Sequence, residues 1–166
     1  MSINWNDPKA HISPHFTVKE ALLLPSWGIY HNPTYTEKAA IQIMAGKMEG
    51  IRAVFGQPIS VHCWIRPEKA DLSHPANGTG KNAHDGENYN ADPHVKGSPQ
   101  SMHRFGRAVD FHVKGYEGSV GCREVRLTLL PLLEPMGLRM EDIEGGWVHV
   151  DNGPVGASGR RFFRVA

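Results

Sequence analysis

The chain has 166 residues, a length typical of one domain that can bury a substantial hydrophobic core. It carries 18 Lys and Arg against 17 Asp and Glu, and this net charge of +1 provides no basic surface for nucleic acid. No apolar run is long enough to cross a membrane. The N-terminus also lacks the basic and apolar segments of a secretory signal, so we expect a protein made in the cytoplasm.

The first third of the chain predicts two helices, each beginning with a capping box. Residues 1–16 look irregular. Residues 17–20 then have the Thr-x-x-Glu form that begins a helix, and residues 34–37 repeat it. The second helix should be the main amphipathic one, and it should stop at Gly56. Its apolar residues follow at helical spacing and predict core packing: Ile41, Met44, Met48, Ile51 and Phe55.

The middle of the chain predicts a strand followed by a long polar segment. Apolar and polar residues alternate over 59–65, where Cys63 would be a buried thiol, and the strand ends at 66–67. Residues 67–100 are rich in Gly, Pro, Asn, Asp and His. Since a structureless loop of this length is unusual in a compact domain, we expect a functional or mobile segment.

Two further strands carry polar residues on one face. Residues 108–113 alternate, so that Asp110 and His112 lie on the face opposite to the three apolar side chains. Residues 147–151 alternate in the same way and place His149 on a polar face. If the two strands are neighbours, Asp110 and His149 project from the same side of a sheet.

The remaining elements complete an α+β pattern. Residues 119–136 predict a helix, and the Cys122 thiol in it is expected to be buried. Pro131 should cause a kink or an early end of this helix. A short strand over 138–140 precedes an acidic turn, and residues 161–165 would add an edge strand. Helices flanking a mostly antiparallel sheet make one α+β domain without internal repeats.

His103, Asp110 and His149 form a candidate metal-binding set. Two neutral imidazoles and one carboxylate suit a catalytic Zn²⁺ ion, with the fourth position left for water. The seven-residue interval lets the chain turn at Gly106 and bring His103 back over Asp110. Three other histidines are expected to be surface or packed residues: His62, His74 and His84.

The pattern around these residues resembles a known family. Residues 101–110 read Ser-x-His-x-x-Gly-x-Ala-x-Asp, and a distant Trp-x-His follows at 147–149. This combination resembles the zinc D-alanyl-D-alanine carboxypeptidase family, which is related in fold to lysostaphin-type endopeptidases and the hedgehog domain. Further similar stretches extend the resemblance over nearly the whole chain: 15–20, 51–59, 65–67 and 89–90. The resemblance implies a single zinc-peptidase domain, 1–166, with an insertion at 68–88.

The resemblance assigns roles to several residues. It implies that His103, Asp110 and His149 are the zinc ligands. Arg66 matches the arginine that stabilises the carbonyl oxyanion or holds a substrate carboxylate, a role that suits a permanently charged planar donor. Ser101 matches the motif serine and would contact substrate or a ligand, or cap a turn.

The chain differs from the family pattern at the position of the general base. Relatives often place Glu or Asp three residues before the last histidine, whereas this chain has Gly146 there. Glu144 is the nearest upstream carboxylate, and Asp142 is the next candidate. Asp151, two residues beyond His149, is either a third candidate or a partner that orients a histidine.

The pocket and the activity follow as expectations. His112 and Trp147 face the side of the site and would line the substrate pocket. The closest branch of the family consists of small phage-type and bacterial peptidases of the cell wall. We therefore expect a zinc metallopeptidase that cleaves peptidoglycan stem peptides, as a D,D-carboxypeptidase or an L,D- or D,D-endopeptidase. Without a visible export signal, it would resemble a phage or prophage lysin.

Two other interpretations stay open at the level of sequence. The first is a non-catalytic zinc-binding module that recognises peptidoglycan or a protein partner, which the hedgehog relation and Gly146 favour. The second is a structural component of a phage particle or tail, which differs in context rather than in chemistry.

Overall fold

A computed structural model describes residues 2–78, 83–95 and 98–164 of the chain. Its strands in chain order are β1 (His11–Ser13), β2 (Phe16–Thr17), β3 (Leu23–Leu24), β4 (Ile29–Tyr30), β5 (Ile59–Cys63), β6 (Ala108–Val113), β7 (Arg139–Glu141), β8 (Val148–Asp151) and β9 (Phe162–Phe163). Its α-helices are α1 (Val18–Leu22), α2 (Tyr35–Phe55), α3 (Ala83–Ala91), α4 (Gly118–Leu129) and α5 (Leu133–Met136). None of the helices in these ranges is long and apolar enough to span a membrane.

Both predicted capping boxes are present. The Thr17 hydroxyl accepts a hydrogen bond from the backbone of Glu20 at the start of α1, and the Glu20 carboxylate accepts one from the Thr17 backbone. Thr34 and Glu37 make the same reciprocal contacts at the start of α2. Because such contacts satisfy backbone donors that a helix start leaves free, local sequence fixes both starting points.

Pro131 shortens the helix predicted over 119–136, as expected. Regular α-helix ends at Leu129, a 3-10 turn covers Leu130–Leu132, and α5 continues to Met136. Proline has no backbone N–H to donate to the preceding turn, so the α-helical hydrogen bonding is interrupted there.

The main sheet has five strands in the order β5-β6-β8-β7-β9. Its first three pairings are antiparallel and the β7–β9 pairing is parallel, so the sheet is mixed and the protein is α+β. The two polar-faced strands are neighbours, because β6 pairs with β8, so the condition stated for Asp110 and His149 is met. Their register places Asp110 directly opposite His149.

One face of this sheet packs on the helices. Val109, Phe111 and Val113 of β6 are fully buried in the same hydrophobic core as apolar residues of α2 and α4. The predicted stripe of α2 is part of this core, with Phe55 partly buried at its end. Alternation along β6 therefore leaves Asp110 on the opposite, polar face of the sheet.

The strand predicted over 59–65 ends earlier than expected. β5 stops at Cys63, and its pairing with β6 shifts register between Val61 and Cys63. Simple alternation would place Trp64 on the outer face with the polar residues of this strand, and that expectation is wrong. Trp64 is fully buried, because the irregularity turns the following residues into the core.

Two segments predicted to be irregular contain regular structure. Residues 11–17 form the small β1–β2 hairpin, most of which lies in the segment 1–16. The segment 67–100 contains a 3-10 turn, Pro75–Asn77, and α3, so the expectation of a structureless loop is wrong for its described part. Residues 79–82 and 96–97 of that segment lie outside the described residues, as does Val165 of the predicted edge strand.

Candidate metal centre

The structure brings the three predicted ligands into one tight triangle. His103 Nε2 lies 3.2 Å from Asp110 Oδ1 and 3.2 Å from His149 Nδ1. His149 Nδ1 lies 2.8 Å from Asp110 Oδ1. Nitrogen and oxygen ligands at about 2.0–2.1 Å from a tetrahedral ion are roughly 3.3 Å apart, so the triangle nearly matches one face of such a site.

A turn and two paired strands hold this triangle. His103 lies in a 3-10 turn, Met102–Phe105, that ends at Gly106 with φ of 69°. A Cβ atom at Gly106 would lie 2.8 Å from Cγ1 of Ile41 in α2, so both the left-handed backbone and the close packing favour glycine. The turn folds His103 back over Asp110, as the spacing predicts.

The hydrogen bond to Trp64 fixes which nitrogen of His103 faces the site. His103 Nδ1 lies 2.8 Å from the Trp64 carbonyl oxygen. A carbonyl oxygen can only accept, so Nδ1 carries the proton, and Nε2 of the neutral ring directs its lone pair at Asp110 and His149. Trp64 is held in turn, because its indole N–H donates to the Gly106 carbonyl at 3.1 Å.

Asp151 orients the His149 ring, as the Trp64 carbonyl orients the His103 ring. His149 Nε2 lies 3.4 Å from Asp151 Oδ2, which leaves Nδ1 facing the other two ligands. The Arg139 guanidinium donates to both oxygens of Asp151 at 2.7 and 3.0 Å, and the Gly153 N–H donates at 2.7 Å. A Cβ at Gly153 would collide with the guanidinium of Arg139, so glycine permits this close approach. Carboxylates that orient a ligand histidine in this way are typical of metal sites.

The electrostatics of the triangle favour a positive charge at its centre. Burial raises the pKa of Asp110, but the close ring nitrogens of His103 and His149 outweigh burial and hold that pKa well below its usual range. Burial lowers the pKa of His149, yet its hydrogen bonds to Asp110 and Asp151 outweigh burial and raise that pKa to about 9. A proton on His149 or a metal cation would each supply this charge, so metal binding and protonation should compete.

Cys63 is a further potential ligand that the sequence did not reveal. Ligand atoms of Cys63, His103 and Asp110 lie within 4.8 Å of one another, so these three residues form a group that could hold a metal ion. The register shift in β5 brings Cys63 opposite Asp110. Burial raises the pKa of the Cys63 thiol to about 12, so the unliganded side chain is a neutral thiol. Both described cysteines are free, and Cys122 is the more deeply buried one.

The triangle opens into a cleft of about 830 Å³. The cleft lies on the polar face of the sheet and is bordered by the strand ends and the 98–103 segment. Its polar and aromatic lining includes Arg66, Ser101, Arg139, Glu141, Trp147 and Phe163. Its volume lies in the range of sites that bind small ligands, so a short stretch of peptide would fit.

Arg66 lies at this cleft as predicted. Its backbone N–H donates to the His103 carbonyl at 2.9 Å, which ties it to the turn that carries the ligand. Its side-chain Nε is buried and has no hydrogen-bond partner among the described residues. A permanently charged guanidinium with a free buried donor is suited to an anionic or carbonyl oxygen of a ligand.

The other predicted pocket residues divide into two groups. Ser101 and Trp147 line the cleft, and the Trp147 ring is 44% exposed. His112 lies on the same strand face as Asp110 but outside the described lining of the cleft. Its Nδ1 lies 2.6 Å from Nε2 of His62, which is exposed as expected. His74 is a packed histidine whose Nε2 donates to the Trp5 carbonyl, and the side chain of His84 lies outside the described residues.

The structure places two of the three candidate bases away from the triangle, and Asp151 beside His149. Glu144 and Asp142 line a different cavity of about 510 Å³ beside α4. Asp142 also pairs with Arg164 at 3.1 Å. Among the described residues, Glu141 is the glutamate that lines the metal cleft, and the sequence reasoning missed it. It lies at the end of β7. The position of this short strand depends on its pairings with β8 and β9, which cannot be read from a single sequence.

The fold and the site define an α+β protein with a His-Asp-His triangle at a cleft on the polar face of its main sheet. No family model matches the chain, and neither a curated protein nor a solved structure matches it significantly. The resemblance to the zinc carboxypeptidase family therefore stays a prediction carried by the residue pattern and the triangle.

Proposed function

We propose that this protein is a zinc-dependent peptidase that hydrolyses peptide bonds of peptidoglycan stem peptides. The observation that carries the proposal is the triangle of His103, Asp110 and His149, in which Nε2 of His103 and Nδ1 of His149 both face inward. Two nitrogens and one carboxylate oxygen are a donor set that suits zinc and leaves a coordination position open. The set lies in a cleft large enough for a peptide segment.

A zinc ion held by these residues would act as a Lewis acid on the scissile carbonyl and lower the pKa of a water molecule towards about 7. Cys63 lies close enough to join or replace a ligand. We favour the histidine set, because its donor atoms are 2.8–3.2 Å apart, and because His149, with a pKa of about 9, loses a proton more readily than the Cys63 thiol, with a pKa of about 12.

The chain supplies the remaining functions from its own side chains. Arg66 would donate to the carbonyl oxygen and stabilise the negative charge that grows there as water adds to the carbon. Glu141 would accept the proton of the attacking water and pass it to the departing amine nitrogen. One C–O bond forms and the C–N bond breaks, so the products are a carboxylate and a free amine. Trp147 offers a partly exposed aromatic surface against which the substrate can pack.

The assignment of peptidoglycan as substrate is supported by the residue pattern at 101–110 and 147–149, which resembles that of cell-wall peptidases. The cleft volume of about 830 Å³ has room for a segment of such a peptide. We accordingly propose D,D-carboxypeptidase or L,D- or D,D-endopeptidase action at the cell wall, as in a phage-type lysin.

Mass spectrometry of a peptidoglycan digest tests this function directly. Purified protein should release stem-peptide fragments, a chelator should stop the release, and added zinc should restore it. The His103→Ala variant should release none. Identical digests from the wild type and this variant would refute the proposal.

A matched pair of glutamate variants then identifies the base. Glu141→Gln should retain zinc and lose most turnover, since Glu141 lines the cleft. Glu144→Gln should remain active, because Glu144 lines the separate cavity beside α4. The reverse outcome would restore Glu144 as the base and require its loop to move.

One observation favours a second candidate, a non-catalytic zinc-binding module for peptidoglycan or a protein partner. Asp142 and Glu144, the two candidate bases that precede His149 in the sequence, both line the separate cavity beside α4. This candidate predicts that the wild type binds zinc and sedimented peptidoglycan but releases no fragment from it, and that Glu141→Gln changes neither property.

A further inference from the structure

Two histidines outside the metal cleft face each other across neighbouring strands. Nε2 of His62 in β5 lies 2.6 Å from Nδ1 of His112 in β6. The centroids of the two rings are 4.8 Å apart. Neither residue belongs to the described lining of the cleft, and the proposed reaction uses neither ring. The pair therefore has no role in the function proposed above.

The short distance shows how the two facing nitrogens share a proton. One nitrogen must carry a proton and donate it, while the other must accept with its lone pair. Two protonated rings would present a donor to a donor, so at least one ring is neutral. When that shared proton is lost, both nitrogens offer a lone pair to the same point in space. A cation placed there would be bound by His62 Nε2 and His112 Nδ1 together.

The surroundings of the pair allow the small movement that an ion requires. Two nitrogen ligands of a tetrahedral ion are roughly 3.3 Å apart, so the facing nitrogens would have to separate by about 0.7 Å. His62 is exposed and His112 is half-buried. The His62 ring can therefore rotate without disturbing the core, and water has access to complete the coordination.

The ligand atoms specify the class of ion. Imidazole nitrogens bind Zn²⁺, Cu²⁺ and Ni²⁺, whereas Mg²⁺ and Ca²⁺ prefer oxygen ligands. A site with two protein ligands is weaker than the three-ligand triangle, so it should lose its ion on dialysis. It would fill only while the metal is present in the surrounding solution.

The position of the pair gives such an ion a consequence for the fold. β5 is the first strand in the order of the main sheet and pairs there with β6. Trp64 follows β5 directly, and its carbonyl accepts the hydrogen bond from Nδ1 of His103. An ion between His62 and His112 would clamp this edge strand to β6, next to the residue that orients His103.

We propose that His62 and His112 form an accessory site for a divalent transition-metal ion that joins β5 to β6. The proposal goes beyond the proposed function and does not depend on it. Its ligands differ from the three residues of the triangle, and the binding of the ion requires neither substrate nor catalysis.

Nitrogen-15 spectra of the histidine rings, recorded during a titration with zinc, provide the test. The first equivalent of zinc should shift the ring signals of His103 and His149. Further zinc should shift the signals of His62 Nε2 and His112 Nδ1 together until both saturate. Magnesium at the same concentrations should move neither signal, because its preferred ligands are oxygens.

Single variants assign the signals and test whether the two rings act together. In His62→Asn, the His112 signal should need at least about tenfold more zinc to shift, because chelation by two rings is lost. His11→Asn is the matched control, since His11 is an exposed histidine of the β1–β2 hairpin. This variant should leave the zinc dependence of the His62 and His112 signals unchanged.

Thermal unfolding is a second measurement that does not need assigned signals. Zinc beyond the first equivalent should raise the unfolding temperature of the wild type, since an ion that binds only the folded chain stabilises it. The rise should be smaller in His62→Asn. An equal rise in both proteins would contradict the proposed clamp.

Three spectroscopic outcomes would show a hydrogen-bonded pair only and overturn the proposal. They are ring signals that zinc does not move, shifts that magnesium reproduces, and a His112 response that His62→Asn leaves unchanged. If the triangle binds no zinc, the first equivalent should shift the His62 and His112 signals instead. The proposed function would then fail, while the accessory site would stand.

Discussion

Asp110 and His149 face each other across the antiparallel pair β6 and β8, with 2.8 Å between Oδ1 and Nδ1. The backbone hydrogen bonds of the sheet therefore set the separation of two of the proposed ligands. A slip of one residue between these strands would turn the side chain of His149 to the core face, so sheet register and metal geometry are fixed together.

We expect removal of one proposed ligand to abolish metal binding. His149→Ala leaves two members of the triangle, too few to hold zinc against dialysis. Elemental analysis should find one zinc per wild-type chain and almost none in the variant. His62→Ala is the matched control, because His62 is an exposed histidine on the neighbouring strand that contacts His112. Equal zinc contents in His149→Ala and the wild type would contradict the proposed ligand set.

Cys63 provides a test between the two possible ligand sets. The cobalt-substituted wild type should lack the near-ultraviolet absorption of a thiolate–metal bond, and Cys63→Ser should bind cobalt with unchanged affinity. We expect this because the triangle with His149 is complete without the neutral Cys63 thiol. A thiolate band in the wild type that disappears in Cys63→Ser would instead assign Cys63, His103 and Asp110 as ligands.

Local patterns predicted the parts of the fold that local chemistry determines. Thr17 and Thr34 began their helices as expected, since each capping box lies within four residues of sequence. β6 has the predicted bounds, because one buried face imposes strict alternation on it. His103, Asp110 and His149 meet for the same reason: the alternation on both strands directs their side chains to one face.

The missed features depend on contacts between distant parts of the chain. Trp64 is buried because β5 changes register against β6, and nothing in the alternation of 59–65 reveals that change. Glu141 lines the cleft and Glu144 does not, although they are three residues apart. That separation follows from the pairing of β7 with β8 and β9, which is long-range information.

Asp151 should tune metal affinity without touching the metal. Asp151→Asn preserves the shape of the side chain but weakens the orientation and basicity of His149, so zinc affinity should fall about 10- to 100-fold. Competition with a chromophoric chelator measures this change. Asp142→Asn is a close control, because Asp142 also pairs with an arginine but belongs to the other cavity. A similar loss in both variants would show a general charge effect and contradict the specific role of Asp151.

Glu37 should make the stability of the fold depend on pH in the acid range. Its carboxylate lies 3.1 Å from His31 Nε2 and accepts from the Thr34 N–H at 2.7 Å. Burial raises the pKa of Glu37, but the hydrogen bonds from His31 and Thr34 outweigh burial and hold that pKa below its ordinary value of 4.5. The unfolded chain therefore takes up a proton at higher pH than the folded one does. The stabilising contribution is complete above pH 4.5 and is lost as the pH falls through the folded pKa.

Urea unfolding of the wild type and Glu37→Gln, with chelator present to exclude effects of metal, measures this contribution. At neutral pH the variant should lose roughly 1 kcal/mol of unfolding free energy, the usual worth of a hydrogen bond or helix cap. The difference should shrink on acidification, because protonation removes the same charge from the wild type. Glu20→Gln alters the equivalent capping box of α1, whose carboxylate contacts no histidine in the part of the chain that the structure describes, and so controls for the cap itself. A difference between wild type and Glu37→Gln that stays constant from neutral to acid pH would show that the Glu37 charge contributes nothing beyond the cap.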